Sequence, residues 1–157
     1  MNVEHFDIFK NNYLVAGLPD QAVGEIADLA EYRVFTARDI ILERGGRGPD
    51  LYVILDGKVQ ILNPNGEKLS EVGPGSVIGE VALVDDGPRS ADAVCVTAVK
   101  AARLPGSVLR KYMFEHKDAG FLMLANLCRV LSMRLRAANI QMDDLAGKAL
   151  DPWRLAL

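Results

Sequence analysis

This sequence predicts a mainly β fold with flanking helices: an eight-stranded β jelly-roll barrel with an N-terminal helix and two C-terminal helices. Three observations predict it. Between residues 32 and 104, short apolar or alternating runs follow one another at close spacing. Clusters of Gly, Pro, Asn and Asp separate them, which is the chemistry of tight turns. On both sides of this region the apolar period lengthens to that of a helix. Short strands at such spacing form a sandwich or a barrel, and a small barrel has room for one small ligand.

The elements follow in chain order. "PDQAVGEIADLAE", residues 19–31, reads as the N-terminal helix; Pro19 and Asp20 suit a start, and Ala22, Ile26, Leu29 and Ala30 share a face. The strand runs are "YRVFTARDIILE", "LYVILDG", "KVQILN", "EKLSEV", "SVIG", "ADAVCV" and "AVKAARL". Asp56-Gly57 is a tight hairpin signal, and "NPNG" marks another turn. From Pro105 the helical period returns, with one helix over "GSVLRKYMFEH", a break near Lys117, and a second over "DAGFLMLANLCRVLSMRLRAANIQMDDL". The expected organisation is one domain over 1–150, with the barrel at 32–104, the C-terminal helices at 106–145 and a short tail at 146–157.

Bulk properties narrow the function. A chain of 157 residues supports a single domain that buries about 68–70% of its unfolded surface. A net charge of −3 gives no general attraction to nucleic acid or anionic membrane. No apolar run reaches the ~18–20 residues of a membrane helix, and the N-terminus has no secretion signal. Cys95 and Cys128 lie in periodic apolar segments and read as core residues in a reducing cytoplasm. Cytoplasmic localisation is expected, with neither membrane nor nucleic acid as a partner. His5 and His116 lie far apart and outside the strands, so neither a metal site nor a phosphodiesterase centre can be assembled. The chain is expected to need no cofactor and not to be an enzyme.

The segment "VIGEVALVDDGPRSADA", residues 77–93, carries the chemistry. "GPGSVIGE" brings a strand to a stop at Gly79, and "EVALV" has the length of one helical turn. The free amides of Glu80, Val81 and Ala82, with no side chain on Gly79, suit a phosphate. Arg89 supplies a planar fork for two phosphate oxygens, behind the restraint of Pro88, and Ser90 adds a hydroxyl. Val77, Ile78, Val81, Leu83, Val84 and Ala91 would exclude water. Glu80 next to a phosphate makes sense if the ligand also has a hydroxyl for the carboxylate to accept. A ribose 3′,5′-cyclic phosphate has both features: one negative charge and a 2′-hydroxyl.

"GEVALVDDGPRSADA" resembles the phosphate-binding cassette of the cyclic-nucleotide-binding domain family, which includes catabolite-activator-like regulators and regulatory subunits like those of protein kinase A. "LYVILDGKVQIL" and "GPGSVIGE" resemble family strands in order and spacing. The resemblance implies that Glu80 binds the ribose 2′-hydroxyl. It implies that Arg89 binds the cyclic phosphate, aided by Ser90 and the amides of residues 79–82. Ile78 stands where the family commonly has an aromatic residue. The implied ligand-binding set is Ile78, Gly79, Glu80, Val81, Ala82, Arg89, Ser90 and Ala91. Ile61, Leu69, Ser70, Arg129, Arg134, Arg136 and Asn139 are candidates for contact with the base; cAMP is the first expectation and cGMP the second.

In the last helix Leu124, Cys128, Leu131, Leu135, Ala138, Met142 and Leu145 form a heptad seam. Met123, Leu127 and Val130 form a second apolar set that can face the barrel. The seam suits a homodimer through 124–145 and equally a wide core face of a monomer. The expected function is a stand-alone receptor or regulatory domain that signals to an unknown protein effector through its C-terminal helix. The alternatives are an interaction module of this fold without ligand, or a fragment of a transcription regulator, channel or enzyme. About a dozen residues follow Leu145, fewer than a DNA-reading module needs.

Overall fold

The computed structural model describes residues 2–146, with side chains described through residue 142. The expected tail beyond Ala146 and the side chain of Leu145 lie outside the described residues. Helix α1 (Val3–Lys10) leads through a 3₁₀ turn (Tyr13–Val15) to helix α2 (Asp20–Asp28). The strands are β1 (Glu31–Phe35), β2 (Ile40–Leu42), β3 (Leu51–Asp56), β4 (Val59–Leu62), β5 (Lys68–Val72) and β6 (Val77–Ile78), then β7 (Asp92–Cys95) and β8 (Val99–Leu104). Helix α3 (Ala82–Asp85) is a single turn between β6 and β7. Helices α4 (Gly106–Glu115) and α5 (Lys117–Ala146) close the described chain, with the break at His116.

The strands form two antiparallel four-stranded sheets, β1-β8-β3-β6 and β2-β7-β4-β5. The expected closed barrel is therefore corrected: among the described residues no ladder joins the two sheets. The edge strand β6 is two residues long and stops where Gly79 turns to a φ of +81°. No extended edge continues there for the other sheet to pair with.

Two cores account for the layering. Alternate residues of β3 point to opposite faces, as in any strand. Leu51, Val53 and Leu55 join Phe9, Leu14, Ile26, Leu109, Met123 and Leu127 under the helices. Ile54 faces the other way and meets Ile41, Val59, Ile78, Ala93, Cys95 and Val99 between the sheets. β8 divides likewise, with Ala102 and Leu104 toward the helices and Val99 and Ala101 toward the second sheet. Each large apolar side chain buried this way contributes about 1.5–3 kcal/mol.

Three local expectations change. The run "YRVFTARDIILE" splits into β1 and β2, which lie in different sheets. The split is a turn in which the Asp39 carboxylate accepts from the Thr36 amide at 2.7 Å and Arg38 takes a φ of +76°. Asp56-Gly57 reverses the chain but makes no hairpin, because β3 pairs with β6 and β8 while β4 pairs with β5 and β7. The N-terminal helical region holds two α-helices where one was expected. Helix α1 is signalled by Asn2, whose side chain caps the His5 amide at 2.8 Å, and by Glu4 in its first turn.

Candidate functional site

The candidate site lies where β6 ends. Gly79 is required there on two counts. Its φ of +81° disfavours any side chain, and a Cβ would lie 2.9 Å from both Arg89 Nη1 and the Asp50 carbonyl oxygen. Arg89 fills that space. Its Nη1 donates to the Gly79 carbonyl at 2.8 Å and its Nη2 to the Asp50 carbonyl at 2.5 Å. Its backbone is pinned as well: Arg89 N–H donates to Gly46 O and Gly45 N–H to Arg89 O, both at 2.9 Å. Burial, the larger influence, pulls the pKa of Arg89 below the usual guanidinium value, while Asp50, Tyr52 and Glu80 push it back up.

Glu80 is 3% exposed. Its carboxylate accepts a hydrogen bond from Arg134 of α5, more than fifty residues away in the chain. Arg134 itself is half in solvent, with 54% of its side chain exposed. The expected helical turn is present but starts at Ala82. Leu83 N–H donates to Glu80 O at 3.0 Å. The amides of Glu80, Val81 and Ala82 precede that bond and find no carbonyl partner among the described residues.

The expected apolar wall is incomplete. Val77, Ile78, Ala82 and Leu83 are buried and Ala91 is half-buried, but Val81 and Val84 point outward. A single turn has one inward face, and Ala82 and Leu83 occupy it. Ser90 is exposed. Of the residues expected near a base, Ile61 and Ser70 are directly paired on β4 and β5, and Leu69 is exposed. Arg134, also expected near the base, donates to the Glu80 carboxylate. Arg129 donates to the Asn126 side chain at 3.1 Å. Arg136 is exposed and Asn139 half-buried.

The cassette is tied to the helices by polar contacts that the sequence did not announce. The Asp50 carboxylate accepts from Arg103 Nε at 2.9 Å and from the Gly106 amide of α4 at 3.1 Å, while its carbonyl holds Arg89. Arg110 of α4 pairs at 2.7 Å with Asp86, the left-handed residue that ends α3. Of the set expected to face the barrel, Met123 and Leu127 are buried in the helix-side core and Val130 is half-buried. Most of the seam is outside: Leu124, Leu135 and Met142 are exposed, as is every residue from Ser132 to Ala138, while Leu131 packs against the helix-side core. Cys128, expected in the core, is exposed. Among the described residues no group of His, Cys, Asp and Glu could hold a metal ion, and no helix is long and apolar enough to cross a membrane.

Residues 32–116 match the cyclic nucleotide-binding domain family. Glutaminase 2 of Bradyrhizobium diazoefficiens is 30% identical over 134 residues, 85% of this chain and 21% of that protein. The CRP-like cAMP-activated global transcriptional regulator of Mycobacterium tuberculosis is 29% identical over 82% of this chain and 58% of its own length. The solved Thermus thermophilus catabolite activator protein superposes with a TM-score of 0.75 at 29% identity, covering 86% of this chain and 63% of that one. The chain thus spans about a fifth of one of these relatives and less than two thirds of the others.

Proposed function

The chain belongs to the cyclic nucleotide-binding domain family, and on that premise we propose that it is a receptor for a cyclic nucleotide, cAMP first and cGMP second. The observation that carries this reading is the seating of Arg89 against Gly79, one residue from the buried acid Glu80. The cyclic phosphate would lie against the free N–H groups of Arg89 and the amides of residues 80–82. Its contacts would come from Ile78, Gly79, Glu80, Val81, Ala82, Arg89, Ser90 and Ala91. Glu80 would accept the ribose 2′-hydroxyl, and the base would lie toward Ile61 and Ser70.

Arg134 supports a route for the signal. The carboxylate that the sugar needs is held by a side chain of α5. Sugar binding would draw Arg134 off Glu80 and change the hold of the barrel on that helix. A ligand shifts such an equilibrium only by its differential affinity for the two states. The exposed seam of α5 would then meet a protein effector or a second copy of this chain. The relatives' regulatory names favour a regulator over an enzyme, and a match to 21% of a glutaminase transfers no glutaminase activity. The expectation that nucleic acid is no partner is withdrawn as a conclusion, because the Mycobacterium tuberculosis relative is a transcriptional regulator of which this chain spans 58%.

Calorimetric titration with cAMP, cGMP and 2′-deoxy-cAMP tests the reading. Saturable binding of one ribonucleotide per chain without turnover is expected, with weaker binding of the deoxy analogue. No heat of binding from either ribonucleotide would overturn it.

A further inference from the structure

Helix α4 begins without a cap of its own. Its N-cap position is Pro105, which makes no side-chain hydrogen bond, and its first turn holds no acid. The cap comes from elsewhere in the chain. Asp50, the residue before β3, accepts from the Gly106 amide through Oδ1 at 3.1 Å. The approach is close enough to need a glycine, because a Cβ at Gly106 would lie 2.1 Å from the Pro49 carbonyl oxygen.

All three oxygens of Asp50 are taken, each by a different segment. Oδ1 holds α4. Oδ2 accepts from Nε of Arg103, near the end of β8, at 2.9 Å. The main-chain oxygen accepts from Arg89 Nη2 at 2.5 Å. A carboxylate held at both oxygens is fixed in direction, and it steadies the carbonyl on which Arg89 sits. The Asp50 and Arg103 side chains are 22% and 27% exposed. The ion pair that also joins the cassette to α4, Asp86 with Arg110, has its acid 69% exposed, and pairs so open to water contribute little.

We propose that Asp50 is a positioning residue for the phosphate site: its side chain, locked between Arg103 and α4, sets the carbonyl that seats Arg89, so that an anion held by Arg89 and the first turn of α4 stabilise each other. Phosphate binding steadies Arg89, steadies Asp50 through the shared carbonyl and tightens the cap on Gly106. Such coupling is reciprocal, so loss of the cap weakens the phosphate site by the same factor. The ligand half of this inference deepens the receptor reading above and rests on it; the link between Arg89 and the cap can be tested without ligand.

The first arm reads amide hydrogen exchange at Gly106 by NMR in the ligand-free protein. The Cys95 amide of the other sheet, which donates to Asp39 O at 2.8 Å, is the control for general destabilisation. Relative to Cys95, Asp50→Ala speeds exchange at Gly106 about fivefold, and Asp50→Asn, which can still cap, restores most of the protection. Arg89→Ala leaves the carboxylate in place yet speeds Gly106 about twofold or more relative to Cys95. Equal acceleration of both amides, or none at Gly106 in Arg89→Ala, overturns the link. In the second arm, Asp50→Ala weakens cAMP binding about fivefold, while Asp50→Asn stays within about twofold of native. Glu31→Gln, which removes the other acid on Arg103 and leaves the cap alone, does not change the affinity. Unchanged affinity in Asp50→Ala, or equal loss in Asp50→Asn or Glu31→Gln, overturns the positioning role. A native protein that binds no cyclic nucleotide overturns that role together with the receptor reading, while the first arm still decides the link.

Discussion

The two ends of the sheets each turn on a glycine with positive φ, and they are built for different things. At one end Gly57 has a φ of +89°, and a Cβ there would lie 2.1 Å from the Ala98 carbonyl oxygen. At the other, Gly79 has a φ of +81°, and a Cβ would meet the Arg89 guanidinium. The Gly57 end carries a groove of about 430 Å³ lined by Asp56, Lys58, Glu71, Val72, Pro74 and Thr97. Its charges are matched on the surface, with Lys58 3.6 Å from Glu71 and Lys100 3.4 Å from Asp56. The Gly79 end holds a half-buried guanidinium that, among the described residues, donates to carbonyls, beside a buried acid and three amides that find no carbonyl partner there. The groove by itself would point to the first end. Charge without a matched partner chooses the second, because that is what an anionic ligand can satisfy.

Substitutions at the two ends sharpen this contrast. The largest effect is expected from Arg89→Ala, which removes the countercharge to the phosphate and weakens cAMP binding about a hundredfold or more. Titration beside a circular-dichroism check of folding reads it, and an affinity within threefold of native would place the phosphate elsewhere. Next comes Gly57→Ala, which forces a strained backbone against the Ala98 carbonyl. It should cost at least about 1–3 kcal/mol of stability and lower Tm by several degrees, while the folded fraction binds nucleotide with unchanged affinity. A change in affinity would join the ends that the comparison separates. Glu80→Gln keeps the shape of the acid and should reduce the preference for ribo- over 2′-deoxyribonucleotide about tenfold, in parallel titrations of both ligands. An unchanged ratio would remove Glu80 from sugar recognition. The smallest effect is expected from Lys58→Ala, since exposed ion pairs contribute little. Neither Tm nor affinity should move measurably, and a loss of nucleotide binding would relocate the site to the groove.

Legibility in the sequence followed the same division between near and far. The strands were readable because a period of two is local, and β3 sorts its residues between two cores on that rule. The cassette was readable because Gly79, Glu80 and Arg89 lie within one stretch whose residue types have few other uses together. Sheet membership was not readable. Asp56-Gly57 has the composition of a hairpin, and only the passing Ala98 carbonyl explains the glycine. The contacts that connect the site to the helices were hidden for the same reason. Arg134 meets Glu80, and Asp50 reaches Gly106, across more than fifty residues of chain. In the sequence Arg134 is one arginine among several on an amphipathic helix. Tyr13 reads as an ordinary aromatic, although its hydroxyl is buried and finds no partner among the described residues.

A crystal structure of the chain grown with cAMP tests the central claim most directly. The cyclic phosphate should lie against Arg89 and the amides of residues 80–82, with the ribose hydroxyl at Glu80 and Arg134 displaced from it. Nucleotide seated in the groove beside Gly57, or a phosphate out of reach of Arg89, would contradict the account.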